Sequence, residues 1–178
     1  VINDALKLGS DSDFGYDYIQ DFEKRFELKA RDPISTGWDE VDKLCKGGIG
    51  KGELGVVIAP TGAGKSMVLV HLGTQAMKMG KTVVHYTLEL QDTSIGIRYD
   101  SCLTGVPLSE LHSMKEMIYE SVQDVEGRLI IKEYPTKSAS PQTLKNHLEK
   151  LKQKDIQVHL DQIYFWRQTV VPYYYSYR

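Results

Sequence analysis

The sequence lacks most of the features that mark secreted or membrane-spanning proteins. Its two cysteines, Cys45 and Cys102, have neither the spacing of a metal motif nor a disulfide-rich context, so a reducing cytosolic compartment is expected. The longest apolar runs are far shorter than a bilayer span, and the first residues have neither the basic nor the apolar block of a signal peptide. We therefore expect no contact with a membrane.

The sequence also has no large excess of charge of either sign and no metal-binding pattern. A formal net charge of −2 provides no overall basic surface for nucleic acid, so any DNA contact must be local. The histidines show no metal-ligand spacing and are interpreted as ordinary surface or core residues. They are His71, His85, His112, His147 and His159. With 178 residues, 41% of them hydrophobic and 26% charged, the chain suits one domain with a real core.

One motif organises the chain: the stretch Leu54–Ser66, with the sequence LGVVIAPTGAGKS. Its apolar start predicts a buried strand, its glycines a tight turn, and the residues from Lys65 to Met79 a helix. A strand, a phosphate-binding loop and a helix in this order form the P-loop arrangement. Ala59 stands where the pattern has its first glycine, at the end of the strand, where no phosphate contact is expected.

Each part of this loop has a chemical role in binding phosphate. Gly62 and Gly64 let the backbone bend so that successive amide N–H groups point at phosphate oxygens, and the helix adds its positive N-terminal end. Lys65 is predicted to supply a charge for the β and γ phosphates, and Ser66 a hydroxyl for Mg²⁺. The predicted nucleotide-binding residues are Pro60, Thr61, Gly62, Ala63, Gly64, Lys65 and Ser66.

A second predicted strand, Thr82–Leu90, carries an acidic residue at its end. Its sequence, TVVHYTLEL, is β-branched and apolar, as in a strand that is buried on both faces of a parallel sheet. Catalytic groups of open α/β sheets lie beyond the carboxyl ends of the strands, so Glu89 is expected at the same edge as the loop. The alternative is an exposed carboxylate without a catalytic role. Arg98 follows on the next predicted helix.

A magnesium site needs a second ligand beside Ser66, usually an aspartate at the end of another buried strand. Asp161, which closes the run DIQVHLD, has the correct place in the order of elements. Gln157 and His159 interrupt the apolar run of this strand, so a residue without a metal role is the alternative.

The segments on both sides of the loop resemble those of a known family. Before the loop, a threonine-glycine step, a short helix between Trp38 and Cys45 with two aspartates, a double glycine and Gly-Glu-Leu are similar to the start of RecA, KaiC and DnaB-type ATPase cores. After it, Thr-Leu-Glu-Leu resembles the Ser-Leu-Glu-Met step of DnaB-type replicative helicases. The resemblance extends from about Arg31 to Asp161 and is closest to phage and bacterial helicases of this type.

This resemblance implies a RecA-like α/β core, with a mostly parallel sheet flanked by helices, that binds and hydrolyses ATP with Mg²⁺. Glu89 would polarise the attacking water. Arg98 would orient Glu89 or respond to its state, unless Arg98 only forms a surface salt bridge. The intact protein would form a ring, expected to be hexameric, that moves single-stranded DNA through its channel in the cytoplasm of a bacterium or a phage-infected host. A primase or a loader is a further expected partner.

The pattern divides the chain into three parts. Residues 1–30 are predicted to be a linker and an amphipathic helix over Ile19–Ala30, residues 31–161 the N-terminal part of the ATPase core, and residues 162–178 a divergent tail. Within the core, a capping box of Ser113 and Glu116 belongs to a helix over residues 109–126. A strand is predicted over Leu129–Tyr134, and a helix from Ser140 to Lys150.

The tail holds seven of the 17 aromatic residues of the chain in its last fifteen positions. Two interpretations compete. Aromatics beside Arg167 and Arg178 could stack single-stranded bases. Alternatively, the natural sequence stops or changes reading frame near Gln157, and this is the favoured interpretation because the aromatic density is far from the usual composition.

The resemblance does not reach the later strands, the DNA-binding loops or the arginine finger of such a core. Without a finger from a neighbour, phosphoryl transfer loses several orders of magnitude in rate, so the isolated chain is predicted to be weakly active or inactive. Two alternatives to the helicase motor stay open: a RecA or RadA-type recombinase or KaiC-like ATPase, and a non-catalytic nucleotide-binding fragment.

Overall fold

The computed structural model describes residues 15–27 and 31–154. The chain divides into two compact units, the first ending at Arg31 and the second beginning at Asp32. Among the described helices, none is both long enough and apolar enough to span a bilayer. The candidate metal ligand Asp161 and the aromatic tail lie outside the described residues.

The described part of the first unit consists of turns, so the amphipathic helix predicted over Ile19–Ala30 is wrong. Regular structure there is limited to a single 3₁₀ turn, Glu23–Arg25. The Asp17 carboxylate accepts the backbone N–H groups of Ile19 and Gln20 at 2.9 and 2.8 Å. These bonds have the pattern of a helix N-cap, and the Asp21 N–H donates to the Asp17 carbonyl oxygen at 3.0 Å. The next backbone bonds, from Lys24 to Phe26, span only three residues, so the first turn continues as a 3₁₀ turn and not as an α-helix.

The second unit alternates helices and strands, which confirms an α/β fold. Its elements are α1 (Asp39–Leu44), α2 (Lys65–Lys78), β1 (Thr82–Thr87), α3 (Asp92–Thr104), a 3₁₀ turn (Leu111–Met114), α4 (Lys115–Gln123), β2 (Arg128–Glu133) and α5 (Pro141–Gln153). The two strands pair in parallel, with Thr82 opposite Arg128 and Thr87 opposite Glu133. A small parallel sheet flanked by helices is compatible with a RecA-like fold.

β1 is the centre of the core because helices cover both of its faces. On one face, Val83 packs with apolar residues of α2 and α3. On the other face, Val84 and Tyr86 pack with leucines of α5. Every residue from Val83 to Thr87 is buried, as expected of a strand that lies between two helical layers.

The ends of α2 and α5 follow the predicted signals. The last helical residue of α2 is followed by Met79 and then by Gly80, which adopts a φ of 71°. α5 begins with a capping box in which the Ser140 hydroxyl accepts the Thr143 N–H and the Thr143 hydroxyl accepts the Ser140 N–H. A glycine with a positive φ ends α2, and a side-chain capping box begins α5.

The capping box predicted for Ser113 and Glu116 is wrong. The Ser113 hydroxyl donates to the Glu110 carbonyl oxygen at 2.8 Å, inside the 3₁₀ turn that precedes α4. α4 begins after this turn, at Lys115, without a side-chain cap.

The apolar run Leu54–Ala59 is not a strand, contrary to the prediction. Residues 54–59 have no regular secondary structure, and the side chains of Leu54, Val56 and Ile58 are 76, 67 and 88% exposed. A strand forms where a neighbouring strand satisfies its backbone groups, and β1 and β2 pair with each other. Within residues 31–154 no third strand borders this run, so its apolar side chains stay exposed.

A buried histidine links β1 to α3. The Nδ1 atom of His85 lies 3.1 Å from the Tyr99 hydroxyl oxygen, and the His85 side chain is 7% exposed. Burial lowers the pKa of His85 to about 4 because the charged imidazolium loses its hydration. The ring is therefore neutral in the folded protein at neutral pH.

We predict that acid destabilises the fold through His85. The unfolded chain takes up this proton near pH 6.5 and the folded chain near pH 4, so the stability is complete above pH 6.5 and falls as the pH drops toward 4. The loss of unfolding free energy approaches about 3 kcal/mol at the lower end. Urea unfolding between neutral pH and about pH 4.5 measures it.

The matched variants for this measurement are His85→Asn and His112→Asn. The first removes the titrating ring and should flatten most of the decline, with a residual slope from His147, whose pKa burial also lowers. The second replaces an exposed ring and should leave the decline unchanged. The same decline in both variants would contradict the role given to His85.

Candidate functional site

The loop before α2 has the backbone conformation that its glycines predict. Gly62 and Gly64 adopt φ angles of 81° and 88°, in the left-handed region that glycine enters at no steric cost. Gly64 is the N-cap of α2, and the helix begins at Lys65 without a side-chain cap. The Gly64 carbonyl oxygen accepts the Met67 and Val68 N–H groups, and the N-terminal end of α2 faces the loop.

Lys65 folds back across this loop. Its Nζ donates a hydrogen bond to the Pro60 carbonyl oxygen at 2.8 Å, and the same oxygen accepts the Ala63 N–H at 3.3 Å. The ammonium group thus lies beside the turn that leads into α2. A cation next to the N-terminal end of a helix makes this position favourable for an anion.

A cavity of about 310 Å³ opens beside the loop. Its walls come from the loop and first turn of α2, from the middle of α3 and from the segment that follows α3. The lining residues are Gly62, Gly64, Lys65, Ser66, Met67, Arg98 and Leu108. This described lining contains two cations, one hydroxyl and two large apolar side chains, but no carboxylate. Its chemistry suits a negatively charged group such as a phosphate.

The close packing of α3 on α2 brings Arg98 to the cavity. Tyr99, the next residue along α3, is 2% exposed and lies against Gly73 of α2. A Cβ atom at position 73 would collide with the Tyr99 hydroxyl, so glycine allows the two helices to approach at this point. The half-buried Arg98 therefore shares one cavity with Lys65 and Ser66, although 32 residues separate it from Ser66.

Glu89 lies in a tight turn between β1 and α3. The Thr87 hydroxyl donates to the Leu90 carbonyl oxygen at 2.7 Å and accepts the Leu90 N–H at 3.1 Å. From the segment after β2, the Thr136 hydroxyl donates to the Leu88 carbonyl oxygen at 3.1 Å. These bonds hold Glu89 at the carboxyl end of β1. Its side chain is exposed, and it is not among the described residues that line the cavity.

The segment before the loop is anchored on α2 by an aromatic contact. The Trp38 and His71 rings stack with their centroids 4.2 Å apart, and His71 Nε2 lies 2.9 Å from the Thr36 carbonyl oxygen. That distance makes Nε2 the donor nitrogen of the ring. The Asp42 carboxylate accepts from the Ser35 hydroxyl and from the Thr36 N–H, which lowers the pKa of Asp42. These contacts fix the chain that precedes α1 on α2 and on α1 itself.

A metal ion would have few protein ligands here. Within the described residues no group of three histidine, cysteine or acidic side chains could hold one. Ser66 lines the cavity, and a hydroxyl together with phosphate oxygens is a ligand set that Mg²⁺ accepts, since Mg²⁺ keeps several waters and takes few protein ligands. Ser66 therefore fits a magnesium-bound phosphate, while the structure does not describe Asp161.

Sequence reasoning missed two residues of the cavity, Met67 and Leu108. Met67 follows the predicted loop directly, and Leu108 comes from the segment after α3. No local pattern marks Leu108, because its position depends on how α3 packs and where the chain turns after Gly105. Both side chains provide apolar surface beside the two cations.

We predict that Thr87→Val weakens the turn that carries Glu89. Valine has the same shape but removes both hydrogen bonds to Leu90, so the free energy of unfolding should fall by about 1–2 kcal/mol. Thr82→Val is the matched control on the same strand, at its partly exposed first residue. Urea unfolding of both variants measures the difference. Equal stability of the two variants would contradict the role given to the Thr87 hydroxyl.

One comparison with known proteins bears on this site. The chain is 29% identical over 165 residues to the DnaB-like replicative helicase of Enterobacteria phage T4, and the aligned region covers 86% of this chain and 34% of the phage protein. The chain thus spans about a third of the length of this curated relative. No family model matches the sequence. The similarity supports a relation to DnaB-like helicases at a coarse level.

Proposed function

We propose that this chain is the nucleotide-binding part of a DnaB-like replicative helicase, and that it binds Mg-ATP in the cavity beside the loop of Pro60–Ser66. The observation that carries the proposal is the convergence of a glycine turn, a helix N-terminus and two cations on one cavity without a described carboxylate. The similarity to the phage T4 helicase agrees with it.

Binding follows from the groups in the loop. The amide N–H groups around Gly62 and Gly64 and at the start of α2 would donate to phosphate oxygens. The Lys65 ammonium, which lies near the Pro60 carbonyl oxygen, would move only within the loop to contact the β and γ phosphates. Ser66 would hold a bound Mg²⁺, which neutralises part of the phosphate charge, and Asp161 is proposed as its second protein ligand.

Glu89 is the proposed base of the hydrolysis step. It lies at the carboxyl end of β1 in a turn that hydrogen bonds from Thr87 and Thr136 hold in place. From there its carboxylate would orient water and take up its proton as the water attacks the γ phosphate. A carboxylate on a fixed turn loses little conformational freedom in this step, which favours catalysis.

The whole helicase would need more than this chain. We propose that the intact protein forms a ring, as a hexamer, moves along single-stranded DNA and works with a primase or a loader. A neighbouring subunit would supply the arginine that accelerates phosphoryl transfer. The chain alone is therefore expected to bind ATP well and to hydrolyse it slowly.

A nucleotide-binding module without catalysis is the second candidate function. The observation in its favour is that Glu89 is not among the described residues that line the cavity. The two candidates agree on ATP binding and differ in whether Glu89 takes part in hydrolysis.

We predict saturable, Mg²⁺-dependent binding of a fluorescent ATP analogue to the full chain. Lys65→Ala should weaken this binding by about tenfold or more, because it removes a charge-assisted contact to phosphate. Lys78→Ala removes an exposed lysine from the other end of the same helix and should leave the affinity unchanged. Absence of binding to the unchanged chain would contradict the proposed function.

We also predict that Glu89→Gln lowers the rate of ATP hydrolysis by about a hundredfold while leaving the ATP affinity within a few-fold. Phosphate release under single-turnover conditions measures the slow rate of the chain. Glu110→Gln, at an exposed position outside the cavity, is the matched control. A rate unchanged by Glu89→Gln would remove this residue from the mechanism and leave the binding module as the better description.

A further inference from the structure

Arg98 is the second cation of the cavity, and it comes from a different helix than Lys65. It lies in the middle of α3, is half-buried and lines the cavity together with the glycine loop and Ser66. Its position is fixed by its neighbour Tyr99, which is buried against α2 and bonded to His85 of β1. The backbone that carries Arg98 is therefore packed on the core.

The contacts of Arg98 bear on both roles considered from the sequence. In residues 15–27 and 31–154, no carboxylate forms an ion pair with its guanidinium group. Among the same residues, it makes no hydrogen bond to Glu89. Of these two residues, only Arg98 is among the described residues that line the cavity.

The charge of the cavity indicates what Arg98 binds. Two cations share about 310 Å³ with no carboxylate in the described lining. Two positive charges that line one cavity favour the binding of a multivalent anion there. A triphosphate offers enough negative oxygens for both, and a guanidinium group can contact two oxygens of one phosphate at once.

We propose that Arg98 binds the terminal phosphates of the nucleotide from within the same chain and makes the cavity selective for ATP over ADP. The inference rests on the proposed function. Lys65 and Ser66 are expected to contact the β and γ phosphates and their magnesium ion, so a cation that shares the cavity with both meets the terminal end of the nucleotide. ADP lacks the γ phosphate and therefore gains less from this contact.

The test measures ATP and ADP separately on the full chain, by displacement of a fluorescent ATP analogue at fixed Mg²⁺. Arg98→Ala should weaken ATP binding by about tenfold or more and ADP binding by only about two- to threefold. Arg98→Lys keeps the charge without the planar fork and should recover part of the loss. Arg128→Ala, at an exposed position at the start of β2, is the matched control and should change neither affinity.

The possible results separate this inference from the proposed function. Equal weakening of ATP and ADP, or no weakening of either, would overturn the inference, while a loss in Lys65→Ala would still support the proposed function. Failure of the unchanged chain to bind either nucleotide would overturn both. Arg98→Gln retains most of the apolar stem and replaces the alanine variant if circular dichroism shows that the latter is unfolded.

Discussion

The burial of β1 on both faces is the constraint on which the rest of the second unit depends. Its side chains alternate between two helical layers, with Val83 and His85 toward α2 and α3 and with Val84 and Tyr86 toward α5. Because every residue from Val83 to Thr87 is buried, neither face of this strand is open to water. Helices must therefore cover both sides, and their arrangement around β1 determines where the chemically active groups lie.

This arrangement produces the cavity as a consequence of packing. α2 and α3 cover the same face of β1, so the loop at the start of α2 and the middle of α3 come together. Gly73 lets Tyr99 approach α2 closely, and this contact places Arg98, the residue before Tyr99, beside the loop. The same strand carries Glu89 at its carboxyl end, held by Thr87. The packing of the core therefore also determines the geometry of the site.

Local signals in the sequence were enough to predict three elements of the second unit. The helix that follows the glycine loop, the strand before Glu89 and the helix that begins after Ser140 all carry their own periodicity or caps, and the structure has them within a few residues. The strand predicted over Leu54–Ala59 is different because a strand is completed by its neighbours, and β1 and β2 pair only with each other in the described residues. In the described part of the helix predicted over Ile19–Ala30, the backbone bonds after Asp21 span only three residues, so the chain forms a 3₁₀ turn there.

The residues of the candidate site also fall into two groups, those that a local motif identifies and those that depend on contacts between helices. Gly62, Gly64, Lys65 and Ser66 could be chosen from the sequence because a continuous motif carries them. The place of Arg98 in the cavity, and the presence of Leu108, depend on contacts between α2 and α3 that no short pattern encodes. The metal role of Asp161 stays a prediction, since that residue lies outside the described part of the chain.

The most direct measurement of the central claim is an amide NMR spectrum of the isotope-labelled full chain, recorded with and without Mg-ATP. The account predicts that the largest shifts occur at the amides of Thr61 to Ser66 and at the Nε–H of Arg98, because phosphate oxygens would accept hydrogen bonds there. Shifts confined to other parts of the chain, or an unchanged spectrum at saturating Mg-ATP, would contradict the claim that this cavity binds the nucleotide.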